Sequence, residues 1–506
     1  MTRCLLGVDA GTTTITVVAF DVGGDERARA GRDNPVRHPR AEWAEQDMAT
    51  TWERTAAAIR EVVTALPTDD EVVGVGVTGQ GGGCWLLDAD GEPVRNAILW
   101  TDGRASDIVE RWRDDGTSAA LFDRCGYGAF PGMALPIVRW LRDHDPDALD
   151  RAATIVACKD WIRSRLTGTV GSDPTDMSLV HHDVRGTGYR ADALELADVP
   201  GVERLEPRLD TPTNVVGEVT DAAASVTGLP GGTPVVAGTM DVAASAYGSG
   251  AYDPGEGSTV VGTTLQNQVL LERPRIVGPP TGYTLDLGVD GRGLRAMGAM
   301  AGTPNLDWVR REIAETDGFA AVERAARSVP AGADGLVYHP YLSGAGEKAP
   351  FVDPAARAQF SGLDPSHTRD HLLRAVYEGV ALAARDCYAS LPVSPSTVTV
   401  SGGGARSTFW CQLFADCLDT TVRVPADGEL GAKGAAALAA VGVGQYPDLG
   451  VAIATMSDVA TTYAPRSGTV PLYDDLYAYY DAVSTAMTDA WSRRRSVAES
   501  FDAADE

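Results

Sequence analysis

Cys4-Leu-Leu-Gly-Val-Asp-Ala-Gly-Thr-Thr-Thr-Ile-Thr-Val-Val-Ala-Phe-Asp21 reads as strand, glycine turn, strand. The apolar runs Cys4–Val8 and Ile15–Phe20 flank a polar turn, Asp9-Ala-Gly-Thr-Thr-Thr14. Glycine lets a backbone come close to a ligand, and exposed N–H groups with three hydroxyls suit phosphate oxygens. A carboxylate closing the first strand can hold Mg²⁺ through water. A β-hairpin with a polar tip would carry the same letters, so the turn gains weight only from others like it.

Such turns recur along the chain. A helical pattern from about Met48 to Leu66 is followed by a buried strand at Val72–Val77 and a hairpin around Asp88-Ala-Asp-Gly91. Helical patterns holding Trp140 and Trp161 come next, and then a stretch from Gly171 to Asp210 that reads as loops and a small subdomain. Pro234–Ala237 leads into Gly238-Thr-Met-Asp241. Gly255–Thr264 and Leu265–Leu271 then repeat the opening order of strand, Gly-Thr-Thr, strand, a weak duplication on the scale of a domain. A strand at Val398–Val400 enters Ser401-Gly-Gly-Gly404 and a helix from Ser407 to Cys417. Leu430–Val441 is an Ala/Gly-rich helix suited to close packing. The tail from Tyr473 is amphipathic and helical, with a frayed acidic end. A chain of 506 residues exceeds what one core supports. The pattern predicts two α/β domains of similar build with a cleft between them.

The formal charge of −27 argues against nucleic acid as a partner. Lysine occurs only at 159, 348 and 433 while arginine is frequent, which we read as a hydrated, halophilic surface in a salty cytoplasm. No run of about eighteen apolar residues marks a membrane span, and the N-terminus turns acidic and glycine-rich too soon for a signal peptide. A cytoplasmic protein without membrane or nucleic-acid partners is expected, with a homodimer left open. Seven scattered cysteines without a CxxC pair read as buried free thiols. The seven histidines give no metal-ligand spacing, and their one cluster, His181-His182, reads as a solvated loop.

Two further turns could carry chemistry. Gly262-Thr-Thr264 has the character of the first. Ser401-Gly-Gly-Gly-Ala-Arg-Ser407 lies between a strand and a helix, where a flat base or a phosphate can approach. It is not a Walker A loop, since no Gly-Lys-Ser/Thr follows. Asp241 follows a buried strand and could take a proton from a substrate hydroxyl as that oxygen attacks a γ-phosphate. An N-cap carboxylate at a helix start would look the same.

Taken together, these segments resemble the FGGY family of carbohydrate kinases, within the actin/hexokinase superfamily. The family's C-terminal signature is met in Ala358-Gln-Phe-Ser-Gly-Leu363, seven residues, then His371-Leu-Leu-Arg-Ala-Val-Tyr-Glu378. Asp9-x-Gly-Thr-Thr, Trp43-Ala-Glu-Gln-Asp47, Thr78-Gly-Gln80 and Trp100-Thr-Asp-Gly-Arg-Ala105 also follow it, as do Gly238–Asp241, Gly262–Thr264 and Gly402–Ser407. The N-terminal signature around Pro131–His144 is looser. The likeness runs from Leu5 to about Gly444.

The resemblance implies a two-domain actin/hexokinase-like (ribonuclease H-like) α/β fold. It divides the chain into a sugar-binding domain at 1–248, a nucleotide-binding domain at 249–445 and a helical extension at 446–506 packed on the second domain. It implies Asp241 as catalytic base and metal ligand, and Asp9 as the carboxylate positioning Mg²⁺ through water. It places ATP at Gly11, Thr12, Thr13, Thr14, Gly262, Thr263, Thr264, Gly302, Asn305, Gly403, Gly404 and Ser407. It places the sugar at Gln80, Gly81, Gly82, Trp100, Asp102 and Arg104. The implied activity is transfer of the γ-phosphate of ATP to a hydroxyl of a small sugar or polyol, with a pentulose such as xylulose leading and a tetritol or pentose phosphate as alternatives. Gly81-Gly82-Gly83 departs from the pattern of ordinary xylulose and glycerol kinases and is more similar to the L-xylulose and erythritol branches. We read it as a wider, less polar pocket that disfavours glycerol. A nucleotide-switched protein of the actin or Hsp70 type shares the phosphate turns but lacks reason to keep Asp241 and the Gln80/Trp100/Asp102 set.

Overall fold

The structure, a computed structural model, describes residues 2–186, 188–316 and 318–502. Its chain divides into two compact units that are not contiguous in sequence. One comprises Met1–Pro254, Leu270–Arg295 and Asp427–Asp458; the other comprises Gly255–Val269, Ala296–Ala426 and Val459–Glu506. This differs from the contiguous division expected at residues 248 and 445. The chain returns to the first unit twice, the second time with the Ala/Gly-rich helix. The expected extension at 446–506 is likewise split: Leu449–Met456 is a helix of the first unit, while the strand Val459–Tyr463 and the long helix Val470–Asp502 belong to the second. The frayed end expected beyond residue 502 lies outside the described residues.

In the first unit the opening segment forms the hairpin its letters suggest. Thr2–Ala10 pairs antiparallel with Thr14–Asp21, which pairs antiparallel with Glu26–Asp33. Asp70–Gly79 lies parallel on the other side of the first strand, and Pro234–Val236 and Thr239–Met240 lie parallel to it in turn. Strands flanked on both sides and covered on both faces read as unbroken apolar runs, as Cys4–Val8 and Val75–Val77 do. The register aligns the strand ends: Asp9 pairs with Thr78, and Thr78 pairs with Thr239. Three parallel strands therefore end at one level, the edge where open α/β sheets bind ligands.

Helix Met48–Ala65 starts at Asp47, whose side chain accepts from the Thr50 amide. It packs a face holding Ile59 and Val62 into the core with Leu6, Val8, Val17, Trp85 and Trp161. Helix Leu430–Gly442 lies so close to the parallel strands that side chains are excluded. A Cβ on Gly7 would overlap the carbonyl of Ala432, and one on Gly76 the carbonyl of Ala435. The small residues read from the sequence are what this approach requires.

The second unit repeats the opening logic. Glu256–Val261 pairs antiparallel with Leu265–Leu271 and parallel with Thr397–Ser401. Thr397–Ser401 pairs parallel with Thr421–Pro425, which pairs antiparallel with Val459–Tyr463. Helix Arg369–Ala389, holding the end of the C-terminal signature, is buried along most of its length. On the long C-terminal helix, Tyr473, Tyr480 and Trp491 are buried. Trp491 meets Tyr341 edge-on at 5.4 Å and stacks on Phe351 at 6.0 Å.

One local expectation is corrected. His181-His182 is buried rather than solvated: His181 Nε2 meets Glu206 at 2.9 Å and His182 Nε2 meets Asp286 at 3.1 Å. Around Asp88 the chain makes the expected hairpin: Leu87 bridges Pro93 antiparallel, the Val94 amide donates to the Leu86 carbonyl at 3.0 Å and the Asp88 amide to the Glu92 carbonyl at 2.9 Å, while the Asp88 carboxylate accepts from the amides of Asp90 and Glu92. The strand Trp85–Leu87 also pairs antiparallel with Thr154–Val156. All seven cysteines are free and buried, as expected. Among the described residues no helix is long and apolar enough to cross a membrane.

Candidate active site

At the common end of the three parallel strands the chain presents Asp9, Gln80-Gly81 and Asp241. Asp241 is the first residue of helix Asp241–Gly248, one position inside its N-cap, Met240. It therefore does not cap that helix. Its carboxylate accepts instead from the Val242 amide at 2.8 Å and from the amide of Gly81. Burial raises its pKa to about 7, aided by the charge of Asp9 and resisted by the two amides. Asp9 is pushed up to about 6, by burial first and then by Glu429. Two buried carboxylates, one raised by the charge of the other, are what a divalent cation relieves, so the pair fits Mg²⁺ held through water. Among the described residues no group of three or more His, Cys, Asp or Glu forms a tighter metal cage.

The Asp9 carboxylate lies against Gly431, near the start of helix Leu430–Gly442. A Cβ at 431 would overlap Asp9 Oδ2. Gly434 is pressed in the same way against the Ala244 carbonyl of the Asp241 helix. One helix thus seats both carboxylate-bearing elements. Sequence reasoning missed Gly431, although the Ala/Gly richness of its helix was the signal.

A hydrogen-bond chain joins residues assigned to phosphate and to sugar. Trp100 Nε1 donates to Thr12 Oγ1 at 2.9 Å, and Thr12 Oγ1 donates to Gln80 Oε1 at 3.0 Å. Gln80 Nε2 donates to Gln46 Oε1 at 2.7 Å, and Gln46 Nε2 returns to the Thr12 carbonyl at 2.6 Å. Gln46 is a second residue that sequence reasoning missed; its signal was its place in the Trp43–Asp47 segment. Asn34 holds the turn from behind: Nδ2 donates to the Gly11 carbonyl and the amide to Thr13. That leaves the side chains of Thr13 and Thr14 exposed. Trp100 is 39% exposed, a large apolar face left open beside these polar groups.

Gly81-Gly82-Gly83 does not open space as the sequence suggested. A Cβ at 81 would overlap the Met240 thioether, so that position is filled from across the sheet. Gly82 and Gly83 have φ of 74° and 76°, a left-handed backbone that glycine adopts without strain. The glycines are there for backbone shape and close packing. Asp102 and Arg104 are also placed differently from a ligand contact. Asp102 accepts from Arg104 and from the Ala44 amide, while Arg104 also reaches Glu45 at 2.8 Å and lies over the Trp43 ring at 4.0 Å. Both side chains are fully buried and hold the segment behind Trp100.

The nucleotide residues of the second unit gather at the end of strand Glu256–Val261. Gly302 packs directly on the carbonyls of Gly262 and Thr263, and the Thr303 amide donates to Gly262 at 2.7 Å. Asn305 is buried, with Nδ2 on the Gly302 carbonyl at 3.0 Å and Oδ1 accepting from Tyr338 at 2.8 Å. Its side chain shapes the turn from inside. Gly404 is seated against Val261 and Trp410, whereas Gly403 faces open space. Ser407 caps helix Thr408–Leu418, accepting from the Trp410 amide, and donates to Glu323 at 2.8 Å. The surfaces left free are Thr263, exposed on the turn, and the backbone at Gly402-Gly403, a cradle that fits a phosphate or a flat base.

Residues 4–248 match the N-terminal domain, and residues 257–443 the C-terminal domain, of the FGGY family of carbohydrate kinases. The chain belongs to that family. An FGGY kinase is a phosphotransferase with an alcohol acceptor, using ATP and a sugar or polyol, so the actin- or Hsp70-type alternative falls away. This FGGY chain is 30% identical to erythritol kinase of Brucella abortus (strain 2308), over 97% of this chain and 98% of that one. It is 29% identical to L-xylulose/3-keto-L-gulonate kinase of Escherichia coli (strain K12), over 96% and 98%. Its structure superposes on xylulose kinase from Rhodospirillum rubrum with a TM-score of 0.89 at 31% identity, over 97% and 100%. The actin/hexokinase-like sugar-kinase fold follows.

Proposed function

We propose that this FGGY kinase transfers the γ-phosphate of ATP, with Mg²⁺, to a hydroxyl of a pentulose such as xylulose, in the cytoplasm. The observation that carries the mechanism is Asp241. Its carboxylate is buried, held by two amides and raised to about 7, which suits a general base at neutral pH. It takes the proton of the acceptor hydroxyl as that oxygen attacks the γ-phosphorus, while the Gly/Thr turns bind the polyphosphate. Mg²⁺ near Asp9 would supply charge neutralisation. The exposed Trp100 face, held beside Thr12 and Gln80, gives an apolar wall next to polar groups, as sugar sites commonly have.

A tetritol is the second reading, favoured by the likeness to an erythritol kinase. A sugar phosphate is disfavoured, since the one basic side chain in the substrate set, Arg104, is neutralised by Asp102 and Glu45. Asp241→Asn tests the base. It should bind ATP as wild type does but lose about 10²–10⁴-fold in kcat. A variant keeping more than about a tenth of wild-type kcat contradicts the assignment.

A further inference from the structure

Asp241 stands at the first position of its helix, so where its carboxylate points depends on how the chain enters that helix. The entry is clamped from two sides. On one, Thr239 and Met240 pair with Thr78 and Gly79, and Thr78 Oγ1 donates to the Thr239 carbonyl at 2.7 Å. On the other, Thr175 Oγ1 accepts from the Met240 amide at 2.9 Å and from Thr239 Oγ1 at 3.1 Å. A hydroxyl that accepts twice must send its own proton elsewhere. Here it goes to Asp173 Oδ2 at 2.6 Å, which also accepts from the Thr175 amide at 2.9 Å.

Asp173 is held in turn by a charge cluster sealed from solvent. Its Oδ1 lies 2.9 Å from Lys159 Nζ, which also meets Asp160 at 2.5 Å and Asp176 at 3.2 Å. None of these four side chains is more than 1% exposed. Burying such a cluster is no efficient way to gain stability, since apolar side chains of the same volume would do as well or better. What it provides is direction: a carboxylate fixed by an ammonium, and a hydroxyl fixed by that carboxylate.

We infer that Thr175, oriented by Asp173 and Lys159, is a positioning residue for Asp241, fixing the Met240 peptide from which the helix bearing the base starts. The inference rests on Asp241 being the base. Displacement of a catalytic group by about 1 Å can cost on the order of 10²-fold in rate.

The test uses Thr175→Val, Thr175→Ser, Asp241→Asn and the Thr175→Val/Asp241→Asn double variant, assayed with ATP and the best sugar. Thr175→Val should lower kcat by about 10- to 100-fold with KM for ATP within about twofold of wild type. Thr175→Ser, which keeps the hydroxyl, should recover kcat to within about threefold. In the Asp241→Asn background, Thr175→Val should add less than about a twofold loss, because a misplaced base and an absent base are the same defect. If Thr175→Val does not fold, as judged by ATP binding, Thr175→Ala replaces it with the same expectations. Thr175→Val with more than half the wild-type kcat beside an inactive Asp241→Asn overturns this inference alone. So does an undiminished Thr175→Val loss in the double variant. An Asp241→Asn enzyme with near wild-type kcat overturns the base reading and this inference with it.

Discussion

The Asp9 carboxylate rests on a residue that has no side chain to push it away. Gly431 lies so close to Asp9 Oδ2 that even a methyl group would overlap it, and the three nearest atoms that methyl would meet all belong to the Asp9 carboxylate, which must therefore give way. Gly431→Ala should therefore displace Asp9 while leaving the Thr12–Gln80–Trp100 chain in place. A Mg²⁺ titration of activity should show a raised metal requirement and a kcat lowered by about tenfold or more, with KM for sugar little changed. An unchanged Mg²⁺ requirement in a folded, active Gly431→Ala enzyme would contradict this seating of Asp9. At this scale the sequence was partly legible. Asp9 and Asp241 could be picked out as candidates after buried strands, but a polar hairpin tip or a helix N-cap would carry the same letters, and only the family resemblance singled them out. What Gly81 to Gly83 do could not be read, because Met240, which fills the place of a side chain at 81, is far away along the chain.

Among the elements, the hairpins were the most legible. Their strands are continuous apolar runs and their turns are local, so neighbours in sequence decide them. Helix Leu430–Gly442 was legible as an element but not as part of the first unit, since its partners are Gly7, Gly76 and Ala244. The buried pair His181-His182 was misread for the same reason, with Asp286 more than a hundred residues away. The long helix Val470–Asp502 offers a test of such a distant contact. His339 stacks on Tyr480 at 4.3 Å and its Nε2 donates to the Tyr480 carbonyl at 2.9 Å. Burial depresses its pKa from 6.5 to about 4. The unfolded chain takes up the proton first, so this contribution to stability is complete above about 6.5 and drains away as pH falls toward 4. Nearby Glu347, raised to about 7 by burial, works in the opposite sense: its contribution is present below 4.5 and lost as pH rises through about 7. Comparing wild type with His339→Gln cancels the Glu347 background. The stability difference should move in favour of the variant by on the order of 3 kcal/mol between pH 7.5 and 4. A difference that stays constant with pH would show that His339 is not buried neutral.

Over the whole molecule, the surface is acidic and nearly without lysine. Of three lysines, Lys159 and Lys433 are buried, each paired with carboxylates. A net charge of −27 repels itself at low ionic strength, and salt screens that repulsion. We therefore expect the enzyme to be best assayed in concentrated potassium chloride. The two-unit build with its repeated Gly/Thr turns was legible from the duplication. The central claim is a kinase acting on a free sugar or polyol of at least four carbons. The most direct measurement is ADP release coupled to a reporter, in high potassium chloride with Mg²⁺ and ATP, over pentuloses, tetritols, hexuloses, pentose phosphates and glycerol. The highest kcat/KM is expected with a pentulose or a tetritol, with poor turnover of glycerol and of every sugar phosphate. Glycerol or a pentose phosphate as the best acceptor, or no sugar-dependent ADP release at all, would contradict it.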